Sequence, residues 1–489
     1  MAIQFTGLAS GLDTQSIIRD LMKVERTRVV TVEKDKVLAE WKKEAWSSVN
    51  AKLYSFYKEE LFSFKSAGTY SKKKLTSSNE SMVSVNTSSA AIRGSHSIEV
   101  TTMAKGSFLS GDTLTDVTAS TTAGTMMGFD ASTTKNLTFS LDGGKNTQQI
   151  TIEASDTMAS IVKKVKDLGM DMNISYDSNF NRMFLSSTNT GAGVELQVGG
   201  DAQALAGLGF TNVNGSIGND AAFKYNGTDL TSTTNEVVVN GLSFNILGEG
   251  GSSTISVTQD TEAIYDSVKK FVNKYNELML EMDEKISADS ARTYKPLTSE
   301  EKEAMTDEDI KLWEDKIKKS LLRRDDTLTS IMSGMRNTLT LSSGVNTVGF
   351  TFRSFSSLGI VTGSYTEKGV LHIEGDEDNS LYSVKENKLR NAIEEDPDAV
   401  MELMTSLGNK LYEDMSKKMR SSSLSSALTF YNDKSMDKQV KDFDAKMSDL
   451  EIRLSMIEDR YYKQFTAMEQ AMQQSNSTSN WLTQQLGGL

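Results

Sequence analysis

Cysteine is absent from the 489-residue chain, which excludes disulfides, thiolate metal sites and a cysteine nucleophile. Histidine occurs twice, at His96 and His372, in unlike segments. Each reads as a surface or partly buried strand residue rather than a proton shuttle or ligand. Proline also occurs twice, at Pro296 and Pro397, and so few breakers suit long uninterrupted helices. Positive charge is in deficit: the net charge of -13 argues against a nucleic-acid binder, which needs a basic face. No apolar run approaches the roughly 20 residues that span a bilayer, so no membrane insertion is expected. Met1–Ile18 also lacks the basic start and apolar core of a cleaved secretory signal. If the chain leaves the cell, it is expected to do so without one.

Length is what the chain does have. At 489 residues it exceeds one hydrophobic core, and two to four domains are expected. Methionine is abundant, at 24 residues, and fills irregular cores or assembly surfaces.

The two ends share a pattern. Near the carboxy terminus, Phe443, Met447, Leu450, Leu454, Ile457 and Tyr461 alternate steps of four and three, the seam of a coiled coil. A further four-residue step reaches Phe465, a stutter expected to unwind the coil locally and give it flexibility. The pattern resumes at Met468 and Met472. A seam this narrow needs a partner. Near the amino terminus Leu38, Trp41, Ala45 and Val49, continued by Leu53 and Phe56, lie on one helical face at the same spacing. The two ends are expected to pair as a stalk. The mixed charges of Ile17–Ser66 read as a solvated helix face.

Between the ends the texture changes twice. Residues 72–258 are rich in Ser, Thr, Asn and Gly. Short alternating runs there predict strands at Met82–Thr87, Ser97–Thr102, Leu137–Leu141, Gln149–Glu153, Met172–Tyr176, Arg182–Ser187, Val194–Val198, Glu236–Val239, Leu242–Leu247 and Thr254–Thr258. Ser107–Thr134 reads as loop, with short helices after Asp156-Thr157 and at Asp201–Leu208. Helices are expected again at Thr261–Ile286, Thr298–Ser320, Asp325–Leu341, Ser380–Glu394 and Asp398–Arg420, with a hairpin at Gly359–Glu374. The last helix begins near Asp433.

The expected fold is therefore α+β and multidomain: helical coiled-coil termini paired as a stalk, a helical bundle domain and inserted β-rich head domains. The boundaries read as 1–42 plus 436–489 for the stalk and 43–71 plus 259–435 for the bundle. The β-rich head takes 72–106 plus 236–258, and a variable outer domain takes 107–235.

No catalytic constellation is present. Asp142-Gly143-Gly144-Lys145 is not a phosphate loop, because Phe139 stands where its first glycine belongs and Asn146 follows the lysine. Glu374–Asp378 lacks the sixth-position glycine and twelfth-position Glu of an EF-hand, and reads as a solvated turn. The chain is read as non-enzymatic, with no cofactor and no metal.

Four stretches resemble the flagellar cap family, also called flagellar hook-associated protein 2. Phe5–Glu25, FTGLASGLDTQSIIRDLMKVE, is similar to its amino-terminal signature. Ser357–Ile360, Glu367–Ile373 and Lys388–Met404 are similar to its carboxy-terminal signature. Leu137–Ser187 is similar to a repeat-like motif of flagellin and cap insertions, and the terminal coiled coil ends in NWLTQQLGGL. The insertion Gly106–Asn235 is the part that varies most in this family, so its exposed chemistry is not carried over.

The resemblance implies a homo-oligomeric ring, a pentamer as the family's usual cap, at the distal tip of the bacterial flagellum. Such a ring would promote folding and insertion of exported flagellin. It implies flagellin as partner, and an export chaperone at the C-terminal helix. On this reading the sparse apolar ends contact the filament or neighbouring legs: Ile3, Phe5, Leu8, Leu12, Ile17, Leu21, Trp481, Leu482 and Leu486. The plainer alternative packs them on each other within one subunit. Two rivals stand beside the cap: an adhesin whose β-rich head binds host mucin or glycans, and a hook–filament junction protein. The motifs at Phe5–Glu25 and Lys388–Met404 argue against the junction.

Overall fold

Asp13 starts the first helix. Its carboxylate accepts from the Ser16 N–H at 3.0 Å, and α1 (Thr14–Ser55) runs for 42 residues, about 63 Å at 1.5 Å per residue. No glycine or proline interrupts it. The buried face then runs Val49, Leu53, Phe56, Leu61 and Phe64. The step from Phe56 to Leu61 is five residues, too long for an α-turn. The backbone widens to a π-turn over Phe56–Leu61, which keeps Leu61 on the buried face. Two short turns follow, α2 (Phe62–Phe64) and α3 (Ala67–Tyr70).

The computed structural model describes residues 13–86, 90–364 and 367–486. The chain divides into two units, of which one is Ser71–Asp260 and the other comprises the segments before and after it.

The inserted unit is mostly antiparallel sheet. Its elements are β1 (Lys73–Ser77), β2 (Val83–Asn86), β3 (Gly94–Thr102), β4 (Phe108–Ser110), α4 (Ala123–Met127), β5 (Thr134–Ser140) and β6 (Gln148–Glu153). Next come α5 (Met158–Lys166), β7 (Met172–Asp177), β8 (Arg182–Ser187), β9 (Glu195–Gly200), α6 (Ala202–Gly207) and β10 (Asn214–Ile217). The unit ends with β11 (Ala221–Tyr225), β12 (Thr228–Ser232), β13 (Glu236–Val239), β14 (Leu242–Ile246) and β15 (Gly251–Gln259). The sheets β1-β15-β3-β11-β12 and β13-β14-β2 enclose one core, in which Phe223 meets Phe244 edge to face at 5.7 Å. The sheets β10-β9-β5-β6 and β4-β8-β7 enclose a second core with α4, α5 and α6. Thr157 caps α5, and Met158, Ile161 and Val165 face inward.

Three expectations for this region change. Ser107–Thr134 is not all loop, since it holds β4 and α4. The strands β1, β10 and β12 carry too few large apolar residues to stand out by alternation, while β11 does alternate, with Phe223 and Tyr225 inward, inside a Ser/Thr/Asn-rich stretch. The pair β11–β12 also moves a boundary, because β11 pairs with β3 and residues 221–232 join the head sheet rather than the outer core. Asn226 and Gly227, at φ 49° and 84°, make the left-handed turn of a two-residue hairpin.

The other unit resumes with α7 (Thr261–Ser287), α8 (Ser299–Glu303), α9 (Asp307–Ser320) and α10 (Asp326–Thr340). A small hairpin, β16 (Ile360–Thr362) and β17 (Leu371–Ile373), leads to α11 (Lys388–Glu395), α12 (Pro397–Lys418) and α13 (Asp433–Leu486). One core joins α1, α7, α10, α11, α12 and the hairpin. Within it Phe64 stacks on Phe271 at 3.6 Å, and Leu53 is fully buried. The expected helix Ser380–Glu394 forms only from Lys388. The Asn379 side chain accepts from the Leu381 N–H, a local turn that competes with helix, and Asn387 caps α11 through the Arg390 N–H at 3.0 Å.

Ion pairs bind α7 to the segment 374–390 and brace that segment internally. Lys269 holds Asp376 and Asp378, Glu374 takes Lys388 at 3.0 Å and Lys385 at 3.1 Å, and Arg390 forks onto Glu262. Lys388 pulls the Glu374 carboxyl below its ordinary 4.5, and Arg390 does the same to Glu262. Lys269 lowers Asp378 below 3.8.

Two outcomes are expected. Leu53→Ala should cost the helical unit about 2–5 kcal/mol in chemical denaturation, because a fully buried leucine leaves a cavity. A cost under about 1 kcal/mol contradicts that packing. Carboxylates with lowered folded values stabilise fully above their unfolded values and lose that contribution as pH falls through the folded ones. The melting temperature followed by helical circular dichroism should therefore fall with pH below the ordinary 4.5 of Glu374 and Glu262. A melting temperature that holds steady there contradicts these pairs.

Candidate functional site

Among the described residues, no group of three or more His, Cys, Asp or Glu is placed to hold a metal ion, and no helix is long and apolar enough to cross a membrane. Both histidines are engaged. His96, on β3, meets Tyr225 Oη at 2.8 Å and the Ile92 carbonyl at 2.9 Å. His372, on β17, meets Glu367 at 2.5 Å and Asn379 at 3.0 Å. The surface that remains to be explained is the helix pair α1–α13.

The pair is anchored where the chain turns into α13. Phe430 and Tyr431 are buried in the helical core. The Tyr431 ring stacks on Trp46 at 5.4 Å with 9° between planes, and Trp46 Nε1 donates to Asp325 at 3.3 Å. Asn50 accepts from the Phe430 N–H at 2.8 Å and donates to the Leu428 carbonyl at 3.4 Å. From this root α13 returns antiparallel along α1. Lys43 pairs with Asp437, and Lys36 with Asp444 at 2.6 Å, which raises the Lys36 pKa. Further out, Met22, Val29 and Val30 border the same groove as Met447 and Leu454.

On α13 the half-buried apolar positions include Met436, Val440, Phe443, Met447, Leu450, Leu454, Ile457, Tyr461 and Phe465; beyond them Met472 is half-buried as expected, but Met468 is exposed and Glu469 takes the inward place. The helix continues unbroken through Phe465. On α1 the stripe is different from the expected one. Ile18, Met22 and Val32 are buried, with Glu25, Val29 and Lys36 half-buried between and beyond them, again in steps of four and three. The face assigned to pairing turns largely elsewhere. Val49 is in the helical core, Ala45 packs against that core, and Leu38 lines a cavity with Ile317 and Leu321. Trp41 lies under the Lys318 ammonium at 4.6 Å while bordering a groove with Val440 and Asp437. The reason is competition: α9 and the domain core cover the more apolar face of α1. The stripe left for α13 includes Glu25 and Lys36, which hides it from an apolar pattern search. The charges were the available signal, since Lys36 and Lys43 stand seven residues apart, as do Asp437 and Asp444.

The residues assigned to filament contact fall in three groups. Ile3, Phe5, Leu8 and Leu12 lie outside the described residues. Ile17 and Leu21 are exposed on α1, followed by Val24 at 71%, which the sequence reading missed. Trp481, Leu482 and Leu486 are exposed on α13 at 57%, 47% and 70%. They belong to its last stretch, where every residue from Gln473 to Gln484 is exposed. The structure thus brings two apolar groups to the surface of the helix pair, away from its root.

Known proteins resemble this chain in sequence and in fold. The family model for the flagellar hook-associated protein 2 N-terminus matches residues 10–107, and the model for its C-terminus matches 218–477. Flagellar hook-associated protein 2 of Halalkalibacterium halodurans is 27% identical across 96% of this chain and 97% of its own length. That of Escherichia coli K12 is 25% identical across 99% and 98%. The crystal structure of the flagellar cap protein FliD D1-D2-D3 domains from Escherichia coli shares the fold. Its TM-score is 0.54 at 21% identity, covering 76% of this chain and 95% of that one. With matched segments on both sides of the outer core, and over half the chain in the C-terminal model alone, the protein belongs to the flagellar hook-associated protein 2 family, that of the flagellar cap proteins.

Proposed function

We propose that this chain caps the distal end of the flagellar filament as a homo-oligomeric ring and promotes folding and insertion of exported flagellin there. The observation that carries this reading is the unpartnered part of the helix pair. A 54-residue helix ends in a stretch whose described side chains are all exposed from Gln473 on, and that stretch holds Trp481, Leu482 and Leu486. Exposed apolar groups of this size mark a contact surface. In this account the leg is 1–42 plus 436–489, its apolar tip seats in the open filament end, and the ring is a pentamer. The same tip is the surface an export chaperone would cover before assembly. In this reading the chain resides at the flagellar tip.

The test replaces the tip without touching the root. The full-length variant Trp481→Ser/Leu482→Ser/Leu486→Ser should keep wild-type helical circular dichroism. Occupancy of filament tips, read by immunogold electron microscopy, should fall at least about tenfold, since each lost apolar anchor removes about 1.5–3 kcal/mol of burial. Flagellin should then accumulate in the medium as monomer. Unchanged tip occupancy contradicts the leg assignment.

A second reading, an adhesin, has its own observation. Phe108 on β4 and Phe184 on β8 lie diagonally on one sheet face, opposite Ser186 and Ser110, and are 63% and 40% exposed. Exposed rings beside hydroxyls suit stacking on the apolar face of a host glycan. The full-length Phe108→Ala/Phe184→Ala variant should bind a mucin-coated surface severalfold more weakly than wild type. Equal binding removes these rings from any such role, and capping stands without them.

A further inference from the structure

Along α13 the seam Met447, Leu450, Leu454 and Ile457 faces α1, and the positions that flank this seam carry opposite charge on its two sides. On one flank Asp437, Asp444, Glu451 and Glu458 recur every seven residues. On the other flank Lys446, Arg453 and Arg460 do the same. α1 answers the first two acids, with Lys43 on Asp437 and Lys36 on Asp444. At the next two heptads outward α1 offers Val29 and Met22 instead of lysine. There the helix pair opens a groove of about 420 Å³, floored by Met22, Val29, Met447 and Leu454. Glu451 and Glu458 stand exposed on its rim, and among the described residues neither has an ion-pair partner. Arg26 and Glu33 are its other charged groups, so the groove keeps an excess of negative charge. Arg453 and Arg460 are exposed outside it, and Met456, 66% exposed, lies between them at spacings of three and four. Arg453 also takes Asp449 of its own helix at 2.9 Å, an exposed pair of a kind worth little.

Solvation of a long helix accounts for charge on its outer face. It does not account for acids on one side of the seam and bases on the other through successive heptads. Nor does it account for a large apolar side chain left exposed between two arginines, level with an apolar groove between two glutamates. These two surfaces cannot meet within one chain, because they lie on opposite flanks of the same helix.

We infer that the Arg453–Met456–Arg460 flank of α13 in one copy docks on the Glu451–Glu458 groove of the next copy, with Met456 seated in the groove. The occupant is argued from charge complementarity and from level. Arg453 lies two residues beyond Glu451 and Arg460 two beyond Glu458, an offset of about 3 Å along the helix axis that these side chains span. Copies related by rotation about an axis along their legs run parallel and stand at one level, and this contact meets that condition. A contact between unlike surfaces of identical subunits is heterologous, and such contacts close into rings when the rotation between copies allows. This deepens the ring reading above and rests on it. It assigns the middle of the leg a role in holding neighbouring legs together, separate from that of the apolar leg tips.

The test uses the full-length chain and the concentration at half-assembly, read by light scattering. Glu451→Arg/Glu458→Arg and Arg453→Glu/Arg460→Glu should each raise that concentration at least about tenfold, since like charges are then juxtaposed across the contact. Circular dichroism checks that both keep the helical content of wild type. The variant with all four substitutions restores opposite charges and should assemble near the wild-type concentration, which an unfolding artefact does not produce. If wild type assembles and both reversed variants assemble equally well, this contact is wrong and the ring reading stands. If the reversed variants weaken but the fourfold variant does not recover, the pairing of these two flanks is wrong. A wild-type chain that stays monomeric at every concentration overturns the ring and this contact together.

Discussion

The stack of Trp46 on Tyr431 fixes the geometry of the helical unit. It sits where α1 leaves the core and where the chain turns into α13. Asn50 locks the same turn through two hydrogen bonds to the backbone of Leu428 and Phe430 in the incoming loop. With the root held, α13 has one direction open to it, back along α1, and the two Lys–Asp pairs set its register. Exposed ion pairs of this kind are worth little in stability. Their contribution is to choose which residues of two long helices meet.

That root also explains the division of labour on α1. One face is consumed by the domain core and by α9, so Leu38, Ala45 and Val49 serve the body of the unit. A second stripe, from Ile18 to Lys36, receives α13. A third carries Ile17, Leu21 and Val24 into solvent. A helix with three distinct faces needs a partner for each, and the described residues supply two. Cap function is the reading in which the filament supplies the third.

Much of this was legible in the sequence. The four-three seam from Phe443 to Tyr461 fell on the inward face of α13, because strict spacing survives wherever one partner dominates. The start of α13 at Asp433 and the acidic helix pair from Thr298 to Ser320 were readable for similar reasons: caps, proline and charge mark ends locally. The partner stripe on α1 was not, because Leu38, Trp41 and Ala45 look like a better seam than Met22, Glu25 and Lys36. Which apolar face goes to the core is a tertiary decision. The hairpin β11–β12 was missed for the opposite reason. Its signal was local, Asn226-Gly227 between alternating residues, but it lay inside a Ser/Thr/Asn-rich stretch where every turn residue is common. The π-turn at Phe56–Leu61 follows from a five-residue interval that becomes visible only once Leu61 is known to be buried.

The central claim is that this protein sits on the end of a filament through its paired terminal helices. Cryo-electron microscopy of flagellin filaments incubated with the full-length chain tests it most directly. The account predicts ring-shaped density on one end only, with helical density running from the ring into the filament's terminal subunits. Bare ends, or decoration along the sides of the filament, contradict it.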